Sequence, residues 1–147
     1  MILAPPERFD GQLAVLTGVA HRGQVGEVVA RALGERGASL ALIDRNAEEA
    51  EARAAELRAS GIAATAYPCD LTEHLALGRV AAELARHHPA GVAALVSLAG
   101  GFGLTGPVPE TAPAAWDRLL GINLATAYAA TRAFLPALRT ARGSVVY

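Results

Sequence analysis

Five short runs of apolar residues, separated by longer segments with helical character, constrain the fold of this chain more than any other feature. Within the runs, apolar residues mostly follow one another directly instead of alternating with polar ones. Strands that are apolar on both faces are typical of a parallel sheet covered by helices on each side, because a strand with one solvated face would alternate. We therefore predict five strands, at residues 13–17, 39–43, 62–67, 92–97 and 144–147.

The segments between these runs predict four helices, at residues 23–36, 47–60, 72–87 and 114–140. Apolar residues recur at helical spacing in the first, Ala, Glu and Arg favour helix in the second, and Thr72 is a good N-cap for the third. Pro136 should kink the fourth helix or begin its last turn. Residues 99–113 are rich in Gly and Pro, which predicts a loop.

Strand and helix therefore alternate along the whole chain, which predicts a doubly wound α/β fold, a Rossmann-type three-layer sandwich. Right-handed crossovers favour the strand order 3-2-1-4-5, with a ligand crevice at the carboxyl ends of the first and fourth strands. No linker or internal repeat divides residues 1–147, so we predict a single domain, with a sheet that is incomplete on its C-terminal side.

The charge balance excludes several classes of partner. Thirteen Lys and Arg residues against fourteen Asp and Glu residues give a net charge of −1, which supplies no field to attract nucleic acid or an anionic membrane. Cys69 is the only cysteine, so an internal disulfide is excluded and a reducing compartment is favoured. Residues 1–12 carry prolines and acidic residues where a signal peptide needs an apolar run. We predict a cytoplasmic protein.

A glycine-containing segment joins the first strand to the first helix, where a dinucleotide diphosphate would be held. Glycine lets the backbone turn tightly, and a helix N-terminus offers free N–H groups and a positive dipole end. A plain strand-to-helix turn is the alternative, since glycine is common in such turns. The candidate cofactor-binding residues of this segment are Thr17, Gly18, His21, Arg22, Gly23, Gln24, Val25 and Gly26.

Asp44 ends the second strand, 18 positions after Gly26. An acidic residue at about this distance, ~20 residues on, accepts hydrogen bonds from the adenosine ribose. Its charge favours NAD over NADP, although Arg22 and Arg45 leave NADP open because either could pair with a 2′-phosphate. The alternatives are a turn or N-cap role for Asp44, which Asn46 could equally fill, and solvated surface arginines.

Several motifs, in family order along nearly the whole chain, resemble those of short-chain dehydrogenases/reductases. The first opens the glycine segment, the second follows the third strand, the third lies on the fourth strand, and the last two lie in the long helix. They are Thr17-Gly18, Cys69-Asp70-Leu71-Thr72, Leu95-Val96-Ser97-Leu98-Ala99-Gly100, Trp116-Asp117-Arg118 and Ile122-Asn123-Leu124.

This resemblance implies roles for further residues. The acidic side chain of Asp70, with Leu71 beside it, would contact the adenine ring. Ala99, Gly100 and Gly101 would let the nicotinamide ribose lie close to the backbone. The family's catalytic asparagine falls on Asn123, which would break the helix locally, hold a water in a proton relay and line the cofactor site; an ordinary helical asparagine is the alternative.

The chain also departs from the family pattern. Six residues separate Thr17-Gly18 from Val25-Gly26, two more than usual, and Gln24 stands where the middle glycine would be. Ser97-Leu98 replaces a pair of asparagines that braces the sheet. The family's catalytic serine would come shortly after Tyr147, and its Tyr-x-x-x-Lys pair later still. We therefore expect cofactor binding without catalysis from residues 1–147 alone.

The resemblance predicts an NAD(P)-dependent oxidoreductase that transfers a hydride between the nicotinamide and an alcohol or carbonyl carbon. An alcohol or ketone would be the substrate, and a homo-oligomer the assembly. A catalytically inactive dinucleotide-binding module, acting as a sensor or partner subunit, is the first alternative, and an unrelated nucleotide-binding α/β domain is the second. The four His residues show no metal-ligand spacing, and we predict no metal site.

Overall fold

A five-stranded parallel sheet forms the centre of the protein in the computed structural model, which describes residues 8–147. The strand order is β3-β2-β1-β4-β5, and every neighbouring pair is parallel. This confirms the predicted doubly wound fold. Residues 1–7, part of the segment predicted to lack a signal peptide, lie outside the described residues. The strands are β1 (Leu13–Thr17), β2 (Ser39–Asp44), β3 (Ala64–Pro68), β4 (Ala94–Ser97) and β5 (Ser144–Val146).

Helices cover both faces of this sheet. They are α1 (Val25–Gly34), α2 (Ala47–Ala59), α3 (His74–His87), α4 (Pro113–Leu120) and α5 (Thr126–Ala141). A π-helical turn, Gly121–Ala125, joins α4 to α5, and a short 3-10 helix, Val108–Glu110, lies in the preceding loop. Within residues 8–147, no helix combines the length and apolar character needed to cross a membrane.

Successive residues of the central strand enter two different cores, which explains the continuous apolar runs. Leu13 and Val15 of β1 pack on the face covered by α3 and α5, in a core that includes Leu84 and Phe134. Ala14 and Leu16 pack on the opposite face, in a core that Ala30, Ala54 and Leu57 of α1 and α2 complete. A strand buried on both faces has no solvated side to carry polar residues.

The boundaries of several elements differ from the sequence-based ones. The predicted N-cap role of Thr72 is wrong: α3 begins at His74 with Glu73 as N-cap, and the Thr72 side chain bonds Asp70 instead. The predicted long helix is one continuous helical segment, but its middle is the π turn. Pro136 lies inside α5, in its second half, and the helix continues to Ala141.

Phe134 tests the contribution of the core under α5. Its side chain is 1% exposed, so Phe134→Ala should lower the free energy of unfolding by about 3–5 kcal/mol through lost burial and the remaining cavity. Phe102→Ala is the matched control, because Phe102 is 86% exposed and its loss should change stability by less than about 0.5 kcal/mol. Urea denaturation followed by circular dichroism measures both, and equal losses would contradict this account of the core.

Candidate functional site

A cleft of about 260 Å³ opens at the carboxyl ends of the strands, where the winding of the sheet reverses between β1 and β4. Ligands of open α/β sheets bind at this position because the loops diverge there. Ten of the residues singled out from the sequence line the cleft: Gly18, His21, Gln24, Asp44, Arg45, Asp70, Leu71, Ala99, Gly100 and Gly101.

The other predicted site residues lie around the cleft without lining it. These are Thr17, Arg22, Gly23, Val25, Gly26 and Asn123. The structure adds six lining residues that the sequence did not single out as site residues: Ile43, Cys69, Thr72, Leu98, Ile122 and Thr126. Most of them directly precede or follow a predicted site residue in the sequence. Their positions near the predicted strand ends were therefore the signal that could have identified them. Thr126 follows Asn123 by one helical turn, which is the spacing that places two residues on one face.

The ends of β1 and β4 touch at the floor of the cleft. The buried Thr17 hydroxyl accepts a hydrogen bond from the Ala99 N–H at 3.2 Å, and the Thr17 carbonyl accepts one from the Leu98 N–H at 3.2 Å. A Cβ atom on Gly18 would lie 2.5 Å from Ala99 Cα, and the φ angle of Gly18 is +71°. Only glycine fits both the contact and the left-handed backbone conformation.

Thr17 therefore provides a brace between these strands in a chain that lacks the family's paired asparagines. Ser97 stands in the place of the first of them, and its buried hydroxyl has no hydrogen-bond partner within residues 8–147. The Ser97 side chain therefore makes no bracing contact within residues 8–147, and the Thr17 hydroxyl instead joins β1 to the backbone of Ala99, the residue after Leu98.

Helix α1 begins tightly against the first strand. A Cβ atom on Gly26 would lie 2.8 Å from the Gly18 carbonyl oxygen and 2.9 Å from Val19 Cα. Glycine at this position therefore allows the helix N-terminus to approach the strand end. The first N–H groups of a helix have no partner within it, so this terminus is suited to an anion. Gln24 is the N-cap residue, but its side chain does not cap the helix.

Asp44 joins the glycine segment to the end of β2. Its Oδ2 accepts a hydrogen bond from the Ala20 N–H and its Oδ1 accepts one from the Asn46 N–H, both at 3.1 Å. Asn46, not Asp44, caps α2, through a bond from the Glu49 N–H to its side-chain oxygen. The turn role considered for Asp44 is thus real, and it coexists with a carboxylate that lines the cleft.

The two arginines near Asp44 have different surroundings. Arg22 extends towards α2, where its Nη2 lies 3.0 Å from Glu56 Oε1. Arg45 lines the cleft itself and is exposed. His21 also lines the cleft, and its Nδ1 lies 2.9 Å from Glu49 Oε2. Of the two arginines, Arg45 is therefore the one at the edge of the cleft.

Hydrogen bonds within residues 70–72 stabilise the ionised form of the Asp70 side chain. Its Oδ1 accepts hydrogen bonds from the Thr72 hydroxyl at 2.7 Å and the Thr72 N–H at 2.8 Å. These bonds, with a smaller contribution from the positive charge of Arg45, lower the pKa of Asp70. Asp70 thus presents an ionised hydrogen-bond acceptor at the cleft. The preceding Cys69 is buried, and burial raises the pKa of its thiol, in keeping with a small apolar role.

Asn123 lies in the π turn and clamps the loop that follows β4. Its Nδ2 donates to the Gly101 carbonyl at 3.0 Å and to the Leu119 carbonyl at 2.9 Å, while its Oδ1 accepts from the Gly101 N–H at 3.2 Å. A Cβ atom on Gly100 would lie 2.5 Å from Asn123 Oδ1. The helical segment changes from α to π geometry at Asn123 without breaking, and the side-chain amide is satisfied by backbone groups.

No group of three or more His, Cys, Asp or Glu residues suited to a metal ion occurs in the part of the chain that the structure describes.

Comparisons with known proteins agree with this geometry. The sequence profile of short chain dehydrogenases matches residues 12–147. D-threitol dehydrogenase from Mycolicibacterium smegmatis is 37% identical over 121 residues, which cover 80% of this chain and 44% of that protein. Sorbitol dehydrogenase from Cereibacter sphaeroides is 38% identical over 117 residues, 80% of this chain and 43% of that protein.

Solved structures show the same relationship. NAD⁺-bound xylitol dehydrogenase superimposes with a TM-score of 0.85 at 28% identity, over 95% of this chain and 53% of that one. A metagenomic short-chain oxidoreductase in complex with NADP superimposes with a TM-score of 0.82 at 35% identity, over 93% of this chain and 61% of that one. The protein belongs to the short-chain dehydrogenase family, and the chain spans about half the length of the curated relatives it matches.

Thr72→Val tests the hydrogen bonding of Asp70. The variant removes the hydroxyl donor and keeps the backbone N–H, so the pKa of Asp70 should rise towards its ordinary value without reaching it. A lowered carboxyl pKa stabilises the fold above the unfolded-state value and loses this effect as the pH falls through the folded-state value. That acid-sensitive contribution should therefore shrink.

Carboxyl-carbon NMR during a pH titration measures the pKa of Asp70 directly. Thr140→Val is the control, because the Thr140 hydroxyl bonds the Pro136 carbonyl and does not contact Asp70. An unchanged pKa of Asp70 in Thr72→Val would refute the assigned cause.

Proposed function

We propose that residues 1–147 are the cofactor-binding part of an NAD(P)-dependent oxidoreductase that transfers a hydride between a nicotinamide and an alcohol or carbonyl carbon. The proposal rests on one juxtaposition: the N-terminus of α1, the Gly18 turn and the Asp44 carboxylate all meet at the cleft between β1 and β4. The solved relatives described as bound to NAD⁺ or NADP support it.

The cleft residues divide naturally among the parts of a dinucleotide. The α1 N-terminus, with Gly18 and Gly26 below it, would hold the diphosphate, because backbone N–H groups and the helix dipole favour an anion there. Asp44 would accept hydrogen bonds from the adenosine ribose. Asp70 and Leu71 would line the adenine site, since an ionised carboxylate can accept a bond from an amino group.

The backbone of Ala99, Gly100 and Gly101 would lie against the nicotinamide ribose, where one methyl side chain and two glycines leave room. Asn123 would position this loop through its two-way bonding with Gly101. The nicotinamide supplies the hydride acceptor or donor when it is bound. The proton relay role of Asn123 stays a prediction.

NAD is the favoured cofactor. A carboxylate at Asp44 repels the 2′-phosphate of NADP and accepts a bond from the free 2′-hydroxyl of NAD. Arg22 is engaged by Glu56 on the far side of the glycine segment, which leaves Arg45 as the cation nearest to a 2′-phosphate. NADP binding through Arg45 is the weaker alternative.

Small alcohols and ketones are the proposed substrates of the whole protein. Several relatives are named for polyols, among them D-threitol, sorbitol and galactitol, and polyols are therefore the first substrates to assay. The single domain, the homo-oligomeric state and the cytoplasmic location stay predictions. No observation favours the inactive dinucleotide-binding module.

Asp44→Ala tests the proposed cofactor site. A hydrogen bond to a charged group contributes about 1.5–3 kcal/mol, so the variant should weaken NAD binding by roughly tenfold or more. It should also reduce the preference for NAD over NADP, because the Asp44 carboxylate no longer repels the 2′-phosphate of NADP. Calorimetric titration of NAD and NADP into the purified protein measures both effects.

Asp117→Ala is the matched control, since Asp117 is an exposed residue of α4 that does not line the cleft. Asp44→Asn separates charge from bonding, because an amide keeps one acceptor oxygen and loses the negative charge. Equal affinities in the wild type and Asp44→Ala would remove Asp44 from the site, and a wild-type protein that binds neither nucleotide would refute the proposed function.

A further inference from the structure

Arg53, in the middle of α2, is the one buried residue in the described part of the chain that carries a charge. Its side chain is 5% exposed, and it lies between small residues of the same helix, Ala50 and Ala54, which are fully buried. A buried charge is costly unless it is paired. The groups that pair with the Arg53 charge therefore indicate its role in the protein.

The Arg53 guanidinium binds two carboxylates from different elements. Its Nη1 forms a close ion pair with Glu56 of α2 and lies 3.5 Å from Glu27 Oε1 of α1. The Glu27 and Glu56 side chains are 23% and 37% exposed, so one side of each carboxylate remains free to contact another group.

Each of these carboxylates also holds one of two consecutive residues in the glycine segment. Glu56 Oε1 lies 3.0 Å from Arg22 Nη2, and Glu27 Oε2 accepts a hydrogen bond from the Gly23 N–H at 2.7 Å. Arg22 and Gly23 are thus connected to the same buried guanidinium through two separate acidic side chains.

The glycine segment needs such contacts because packing does not hold it. Residues 21–25 are all exposed, and a Cβ atom built on Gly23 would meet no heavy atom within 4 Å. The segment is also two residues longer than the family pattern, and added residues increase the conformational freedom that must be lost when a ligand is bound. Polar contacts are the restraint that remains.

We infer that Arg53 is a positioning residue for the cofactor-binding segment, fixing Arg22 and Gly23 through Glu56 and Glu27. This inference rests on the proposed function for its consequence, a preorganised diphosphate site, but the restraint itself exists in the protein without a nucleotide. Arg53 contacts neither of the two cleft carboxylates, Asp44 and Asp70, and it does not line the cleft.

The first experiment reads the restraint without any cofactor. The Gly23 amide signal in a ¹⁵N–¹H spectrum should shift with pH as Glu27 titrates, with a midpoint below the ordinary glutamate value. The Gly23 bond is the main cause of this lowered pKa of Glu27, and Arg53, Arg22 and Arg31 are the positive groups that face it. Arg53→Met should raise the midpoint.

Arg58→Met is the matched control. Arg58 lies on the same helix, but its guanidinium bonds Glu51 at 2.6 Å and the Ala64 carbonyl at 3.0 Å, away from the glycine segment. The midpoint should be unchanged in this variant. A Gly23 midpoint that is the same in the wild type and Arg53→Met would overturn the inference.

The second experiment measures the consequence by calorimetric titration of NAD. Arg53→Met should weaken binding by about tenfold, since unrestrained segments bind with an added entropic cost. Glu27→Gln keeps a carbonyl acceptor for Gly23, lies partly at the surface and should fold even if Arg53→Met does not. Glu27→Gln and Arg53→Lys should each weaken NAD binding, because both change the Arg53–Glu27 ion pair. The double variant should lose less binding free energy than the sum of the losses in these two single variants.

The outcomes separate the inference from the proposed function. Additive losses would show that Arg53 and Glu27 act independently, and an equal loss of NAD affinity in Arg58→Met would show a general effect on folding. Either result would overturn the positioning role. A wild-type protein that binds neither NAD nor NADP, but whose Gly23 midpoint still responds to Arg53→Met, would refute the proposed function and leave the restraint by Arg53 established.

Discussion

The contact between the ends of β1 and β4 is the constraint on which the rest of the site depends. These two strands are neighbours in the sheet, yet the chain reaches β2 from one and β5 from the other, on opposite sides. Their following loops must therefore diverge, and the space between them is the cleft. The Thr17–Ala99 hydrogen bond and the bare backbone of Gly18 keep the floor of this space narrow and regular.

Around this floor, carboxylates fix the backbone by accepting hydrogen bonds from its N–H groups. Asp44 holds Ala20, Asp70 holds Thr72, and Glu27 holds Gly23, each by accepting a bond from a backbone N–H. A charged acceptor bonds an N–H more strongly than a neutral one, which suits segments that packing does not restrain. Two of these carboxylates, Asp44 and Asp70, also line the cleft.

The strands and their order were predictable because they depend on patterns that the chain carries locally. The runs at Leu13–Thr17 and Ser39–Asp44 are bounded by turn residues, and the structure places both strands within one residue of the predicted limits. Thr72 was misassigned because its hydroxyl can satisfy either a helix N-terminus or a nearby carboxylate, and the sequence does not show which wins. Ten of the cleft residues could be predicted because the predicted fold brings the carboxyl ends of its parallel strands together at one edge of the sheet.

The role of Arg53 could not be found in this way. An arginine in an Ala- and Glu-rich helix is most simply a solvated surface residue, and only the three-dimensional arrangement shows that small neighbours on α2 leave it buried against α1. Cys69 and Thr126 were missed as lining residues because exposure to a cleft depends on how several elements meet. Local patterns determine which elements form, whereas contacts between distant segments determine which side chains face a ligand.

The π turn at Gly121–Ala125 changes which side chains of the following helix face the sheet. A π turn accommodates one additional residue, which rotates everything after it by about 100° relative to an uninterrupted α-helix. Before the turn, α4 has no buried residue; after it, α5 turns Ala129, Ala130, Phe134 and Leu138 inwards. Removing a single residue here would leave the length of the segment almost unchanged and turn a different stripe of side chains towards the sheet.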